Sequence, residues 1–225
     1  MNRLTIFFLV FVTLGLAILF AFWGYMTIQS NLLGWFLLIT GLVYFFGIIV
    51  VYWMRRIRFW EPQARGDVFK EERGDWSFWV ITAGMIAAFY LPPAEYLYFN
   101  FLPSGLWAQI LGLFLVFLGS VLFIWARRTL GQFYSGHVSV LEGQPLVQSG
   151  PYHFIRHPAY AGYLFIALGV VCGYSSVAGL IINLIILLPA VIYRIHVEDK
   201  LLAEYFGAQF ESYARRTKRL LPLVW

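Results

Sequence analysis

Residues 105–126 read GLWAQILGLFLVFLGSVLFIWA, an uninterrupted stretch without a charge, closed by the pair Arg127-Arg128. A hydrocarbon core of about 30 Å is crossed by roughly 20 apolar residues in a helix, so this stretch is long enough to span a bilayer. Five further apolar runs surround it, at about 4–27, 32–54, 77–98, 159–173 and 177–194. The first three of these have full spanning length. The last two are shorter and read as a tight hairpin joined by Gly173-Tyr174-Ser175-Ser176. The composition agrees: the 225-residue chain is 61% hydrophobic and 12% charged, with a mean hydropathy of +0.74. Ordinary globular chains carry about 25% charged residues. The expected fold class is all-α: a polytopic membrane protein with about six transmembrane helices and a cytoplasmic C-terminal amphipathic helix.

The charges orient these spans. The connections 28–31, 99–104 and 174–176 contain no Lys or Arg, and all sixteen basic residues fall on the other side. The positive-inside rule makes that side cytoplasmic, with both termini inside, as in a plasma or inner membrane. Arg3 before an apolar run resembles a signal peptide, but the run is too long for an h-region and lacks a small-x-small cleavage site, so it reads as a retained helix. Anionic headgroups account for the net charge of +5, and no nucleic-acid partner is required. The lone Cys172 sits in an apolar run, which excludes an intramolecular disulfide and disfavours a catalytic thiol.

The chain divides in character. Residues 1–126 hold four spans with almost nothing polar inside them, and 127–225 form a C-terminal region rich in candidate chemistry. Glu95 follows Pro92-Pro93, which reads as an interfacial acid at a broken helix end. The segment 55–76, with six basic and five acidic residues, reads as a surface loop carrying no chemistry. Gly112 and Gly119 lie seven apart on one span, as do Gly162 and Gly169 on the next, which suits close helix packing. Residues 195–217 repeat apolar side chains at helical period and read as an amphipathic extension of the last span, ended by Pro222.

Two polar constellations stand at the cytoplasmic level. In GPYHFIRHPAYAGY (150–163), Pro151 suits the first turn of a short helix with Ser149 as its cap, and Pro158 begins a membrane helix. Arg156 and His157 then sit beside free N–H groups and a positive dipole end, an anion-binding corner. The plainer alternative is a headgroup anchor, and spacing alone leaves both open. In YRIHVEDKLL, Arg194 and Glu198 are four apart on one helix face, which by itself describes an ordinary helix ion pair. Four histidines invite a metal, yet Pro158 interrupts the His153–His157 spacing and no H-E-x-x-H or cysteine cluster exists. Glycine-rich nucleotide motifs are also missing, so no metal and no classical nucleotide domain is expected.

The ordered set His137-Val138, Leu146-Val147, Gly150-Pro151-Tyr152, Arg156-His157-Pro158, Tyr160, Gly162, Arg194, Glu198, Phe206-Gly207, Tyr213 and Arg216 resembles the isoprenylcysteine carboxyl methyltransferases and their integral-membrane relatives, phospholipid N-methyltransferases among them. The likeness covers about 126–222. It implies an S-adenosylmethionine-dependent methyltransferase acting on a lipophilic acceptor: an isoprenylcysteine-type carboxylate, another lipid or a thiol. By position, the implied cofactor contacts are Val140 (through its backbone), Gln144, Pro145, Leu146, Val147, Tyr152, Arg156, His157, Pro158, Ala159, Tyr160 and Glu198. Arg194 is implied to face the acceptor, and Arg194 and Glu198 are the implied catalytic pair. The family's second acid is Asp199 here, one carbon shorter. The first four helices match no motif. Two other readings are an NADPH-dependent membrane reductase of the sterol-reductase type and a non-enzymatic transporter. The first wants a basic cluster for the extra phosphate, and the second wants polar residues at mid-membrane.

Overall fold

The computed structural model describes residues 3–56, 68–71, 76–134, 138–141 and 143–221. Its helices are α1 (Arg3–Thr27), α2 (Leu33–Arg56), α3 (Ser77–Tyr98), α4 (Leu106–Leu130), α5 (Pro158–Tyr174), α6 (Val177–Ile182), α7 (Leu188–Phe206) and α8 (Ala208–Arg216). Ser77–Tyr98, Leu106–Leu130 and the continuous Val177–Phe206 are long and apolar enough to cross a membrane by length and composition. Thr13–Thr27, Leu33–Val43 and Pro158–Tyr174 are shorter apolar helices among the described residues. Apolar helix thus stands at every run read from the sequence, and the chain is an all-α integral membrane protein.

Two small-residue contacts bind the centre. A Cβ on Gly112 would stand 2.6 Å from the Gly169 carbonyl oxygen, and one on Gly119 would stand 2.6 Å from that of Gly162. The seven-residue spacings on α4 and α5 therefore face each other, and the two backbones touch because neither carries a side chain there. α6 joins α7 through a wide π turn, Asn183–Leu187. Pro189 follows it and has no N–H to return to Ile185, which the wider turn accommodates.

Three expectations are corrected. α3 runs through Pro92 and Pro93 to Tyr98, and Glu95 is buried instead of interfacial. Its carboxylate accepts from the backbone N–H groups of Val177 and Ala178, both at 2.9 Å, and from the Ser176 hydroxyl at 2.5 Å. It thereby satisfies the open N-terminus of α6, which explains how a buried acid is tolerated. The polar connection 55–76 is not all loop, because Val68–Glu71 (β1) pairs antiparallel with Ser139–Leu141 (β2). Lastly, 195–217 is not one helix: Gly207, at φ +53°, ends α7 and redirects the chain into α8. Most of 55–76, together with His137 and Pro222, lies outside the described residues.

After α8 the chain turns back to the start of α5. The N–H groups of Arg156 and His157 donate to the carbonyls of Lys218 (2.8 Å) and Arg219 (3.0 Å), and Ile155 bridges Lys218 in parallel. This return lays the C-terminal segment against the loop that opens α5.

Candidate active site

The loop 143–157 is shaped locally before it meets α7. Gly143, at φ +71°, turns the chain after β2, and its N–H donates to the Tyr205 hydroxyl at 3.0 Å, tying the turn to α7. Gly150–His153 forms the short helix expected with Pro151 in its first turn, although Ser149 makes no side-chain cap bond. Its own reversal at Gly150 (φ +58°) sets the geometry. Tyr213 of α8 donates to the Tyr152 carbonyl at 2.7 Å, pinning that short helix. Burial pushes the Tyr213 phenol up to about 12 and the Tyr152 phenol well above its usual range, so both remain protonated.

From α5 and α7 comes a connected polar network. The Arg194 Nε donates to the Tyr160 hydroxyl at 2.8 Å, and that hydroxyl donates to Glu198 Oε2 at 2.8 Å. One phenol therefore joins the base and the acid. His157 Nδ1 lies 3.8 Å from the same Glu198 oxygen, while Nε2 lies 2.8 Å from Asp199 Oδ1. Asp199 also receives Arg219 Nε at 2.8 Å, with Arg156 at 3.6 Å. His157 and Arg194 are each only 3% exposed, so these contacts act with little water to screen them.

The anion-binding corner at the start of α5 is filled from within. Its anion is Asp199, the N–H groups of Arg156 and His157 go to the C-terminal segment, and Arg156 Nη1 donates to the carbonyls of Ala214 and Thr217. Arg156 Nε is buried with no partner among the described residues. Arg156 and Asp199 thus clasp the end of the chain to the site. His153 is exposed, with its ring edge-on to Phe154.

One cavity of about 510 Å³ collects this chemistry. It is lined by Arg194 and by every residue named above as an expected cofactor contact except Pro158, which is buried at the first turn of α5. Val140 lies on its wall within a buried cluster with Val138 and Leu201. Glu198 reaches the cavity with a third of its side chain exposed. Its Oε1 makes no hydrogen bond among the described residues, leaving a carboxylate oxygen open to a cation. Aromatic faces at Tyr152 and Tyr160 stand nearby.

The cavity does not stop at the polar residues. It continues along one face of α3, past Phe78, Thr82, Met85, Ile86 and Phe89, with α1 and α2 opposite. Ser77, at the head of that face, lies with its hydroxyl 3.4 Å from Arg194 Nη1, and the guanidinium sits over the Phe78 ring. None of these α1–α3 residues was legible as functional in the sequence. They are apolar residues in apolar helices, and only the fold sets them beside Arg194. Asp199 stands out in the sequence only as the shorter second acid, and Arg219 carries no signal there at all.

A family model described as phospholipid methyltransferase matches residues 107–209. The chain is 29% identical to protein-S-isoprenylcysteine O-methyltransferase B of Arabidopsis thaliana over 133 residues, covering 58% of this chain and 68% of that protein. It is 31% identical over 117 residues to protein-S-isoprenylcysteine O-methyltransferase of Saccharomyces cerevisiae, covering 51% of this chain and 49% of the yeast protein. In three dimensions it overlays a eukaryotic intramembrane Ras methyltransferase with a TM-score of 0.48 at 17% identity, over 100% of this chain and 88% of the other.

Proposed function

We propose that this chain is an integral-membrane methyltransferase of the isoprenylcysteine carboxyl methyltransferase type, which uses S-adenosylmethionine to methylate a lipophilic acceptor drawn from the bilayer; the matches of its C-terminal half to such enzymes support the reading. The observation that carries the reading is the single cavity joining Glu198, Tyr160 and Arg194 to an apolar arm along α3. A soluble substrate has no use for such an arm.

The donor set suits that cofactor. When bound, S-adenosylmethionine supplies a methyl group on a cationic sulfur, together with an ammonium and a carboxylate. Glu198, with an open Oε1 on the cavity wall, provides the counter-charge for a cationic part. Tyr152 and Tyr160 offer ring faces, and Gln144, Pro145, Leu146 and Val147 line the opposite wall. His157, held between Asp199 and Glu198, and Ala159 complete that end, while Pro158 shapes the turn behind it. Arg156 serves the site from behind by holding the C-terminal segment.

Arg194 faces the acceptor. Tyr160 holds it through Nε, and the guanidinium sits over the Phe78 ring at the head of the α3 face that lines the cavity. A carboxylate acceptor would pair with the guanidinium charge there and would need no strong base. The low exposure of Arg194 excludes water from the reacting groups, and placement of both partners supplies the acceleration. In this reading, residues 127–225 hold the donor and residues 1–126 receive the acceptor chain. The polar end of the cavity faces the cytoplasm in this reading, which the distribution of basic residues supports.

Calorimetry on detergent-purified protein with S-adenosylmethionine, its demethylated product and NADPH tests the cofactor. Binding of the first two is expected, and binding of NADPH alone overturns the assignment. Transfer of label from methyl-labelled cofactor into lipid extracts and small thiols then identifies the acceptor class.

A further inference from the structure

We propose that Ser77 and Phe78, the first two residues of α3, are positioning residues for Arg194: they hold its guanidinium in the plane in which it meets an acceptor carboxylate. This rests on the reading that Arg194 faces the acceptor, and it extends that reading to a helix that carries no motif of its own.

Arginine brings a planar fork on a long, flexible stem, so the fork recognises a planar carboxylate only where something fixes its direction. Tyr160 of α5 holds Nε at 2.8 Å. A second nitrogen is met by α3, 117 residues away in sequence: the Ser77 hydroxyl lies 3.4 Å from Nη1, and Cζ lies 5.9 Å from the centre of the Phe78 ring. The two hydroxyls set the direction of the fork within its plane, and the ring sets the plane itself. Beside them Trp76 stacks on Tyr193, with ring centres 4.8 Å apart and planes 29° from parallel. Three consecutive residues at the head of α3 therefore grip two consecutive residues of α7.

Helix packing fixes this grip. α3 and α7 run antiparallel. Gly84, about two turns on from Ser77, faces Leu187, about two turns back from Arg194, and a Cβ on Gly84 would stand 3.4 Å from Leu187 Cδ1. Between these levels Ile81 is buried in one cluster with Val191 and Ile195. The register that closes this core is the one that brings Ser77 to Arg194.

The residue type fits the task. Ser77 is fully buried and does not line the cavity, so it acts on a ligand only through Arg194. Its hydroxyl is neutral and orients Nη1 without cancelling the guanidinium charge, which an acid in the same place would offset.

The test compares N-acetyl-S-decylcysteine with its carboxamide, which has the same tail and no charge. Binding of each to the full chain in detergent is read by calorimetry, with and without the saturating demethylated cofactor. The wild type should bind the carboxylate at least about 10-fold more tightly than the amide, as a hydrogen bond between charged groups allows. Ser77→Ala should cut that preference about 3- to 10-fold, with binding of the demethylated cofactor unchanged. Phe78→Leu should cut it likewise, and Phe78→Tyr, which keeps the ring, should retain it. On an Arg194→Ala background Ser77→Ala should change nothing further, because it acts through that arginine.

The assignment is overturned if Ser77→Ala keeps the full preference, or if it still acts without Arg194. Equal weakening of carboxylate and amide, the mark of a merely structural role, also overturns it. So does a wild type that binds both compounds alike or neither. Should Ser77→Ala not fold, the Phe78 pair decides, and equal preference in the Leu and Tyr variants sinks the seat. If the wild type does not bind the demethylated cofactor, the methyltransferase reading falls, while the acid–amide comparison without cofactor still decides the role of Ser77.

Discussion

Asp199 Oδ1 lies 2.8 Å from His157 Nε2, and the other oxygen of the same carboxylate lies 2.8 Å from Arg219 Nε. One side chain of α7 therefore fixes the imidazole at the start of α5 and the returning end of the chain together. The shorter acid is the right length for this clasp, while Glu198 beside it points into the cavity. Neighbours in sequence, about 100° apart on the helix, they serve the clasp and, in the proposed reaction, the cofactor.

Asp199→Asn should therefore act first on stability. It strips the counter-charge from Arg156, Arg219 and His157, and removing one partner from a largely buried ion cluster costs about 3–5 kcal/mol. With Arg219 partly exposed, the lower end is expected, read as a fall in the denaturant midpoint. Arg219→Ala should give a smaller loss of the same kind. An Asp199→Asn protein as stable as wild type would refute the clasp.

Glu198→Ala should abolish cofactor binding in calorimetry, whereas Arg194→Ala should leave binding largely intact and remove turnover. Normal binding by the Glu198 variant would show that the donor is held elsewhere.

Tyr160→Phe should affect both functions at once, because its hydroxyl receives from Arg194 and donates to Glu198. Hydrogen bonds to charged groups contribute about 1.5–3 kcal/mol each. Loss of this bridge predicts a fall in kcat of about 10- to 100-fold with the fold intact. Unchanged kcat would mean that the bridge does not position Arg194.

Glu95→Gln should lower stability by about 1–3 kcal/mol, since the buried carboxylate accepts three hydrogen bonds at the start of α6. The folded fraction should retain its specific activity, because Glu95 lies far from Arg194 and the cavity. A change in KM would link it to the site instead.

Gly112→Val or Gly169→Val should prevent folding or cost well over 1–3 kcal/mol, because each added side chain first meets backbone of the facing helix, which cannot move aside. Yield and thermal midpoint in detergent measure this. Substitution of Gly15, where nothing lies within 4 Å of an added Cβ, is the control and should be neutral.

What the amino-acid order by itself determined is whatever depends on composition and near neighbours. Apolar runs, the Gly112/Gly119 and Gly162/Gly169 spacings, the helix start at Pro158 and the Arg194–Glu198 face are all local properties, and hydropathy or helical period reveals them directly. Even there, Pro92-Pro93 misled, because packing against α6 keeps α3 helical where two prolines in isolation would break it. Tertiary structure alone decided the long-range partners: Glu95 with Ser176, 81 residues apart, His157 with Asp199, 42 apart, and the α1–α3 wall of the cavity. These depend on which faces meet, and a membrane helix that is apolar all round carries no stripe to say which face will. The ring contacts of Phe20 with Phe89 and Tyr90 are therefore invisible in the linear chain and plain once α1 and α3 are packed together.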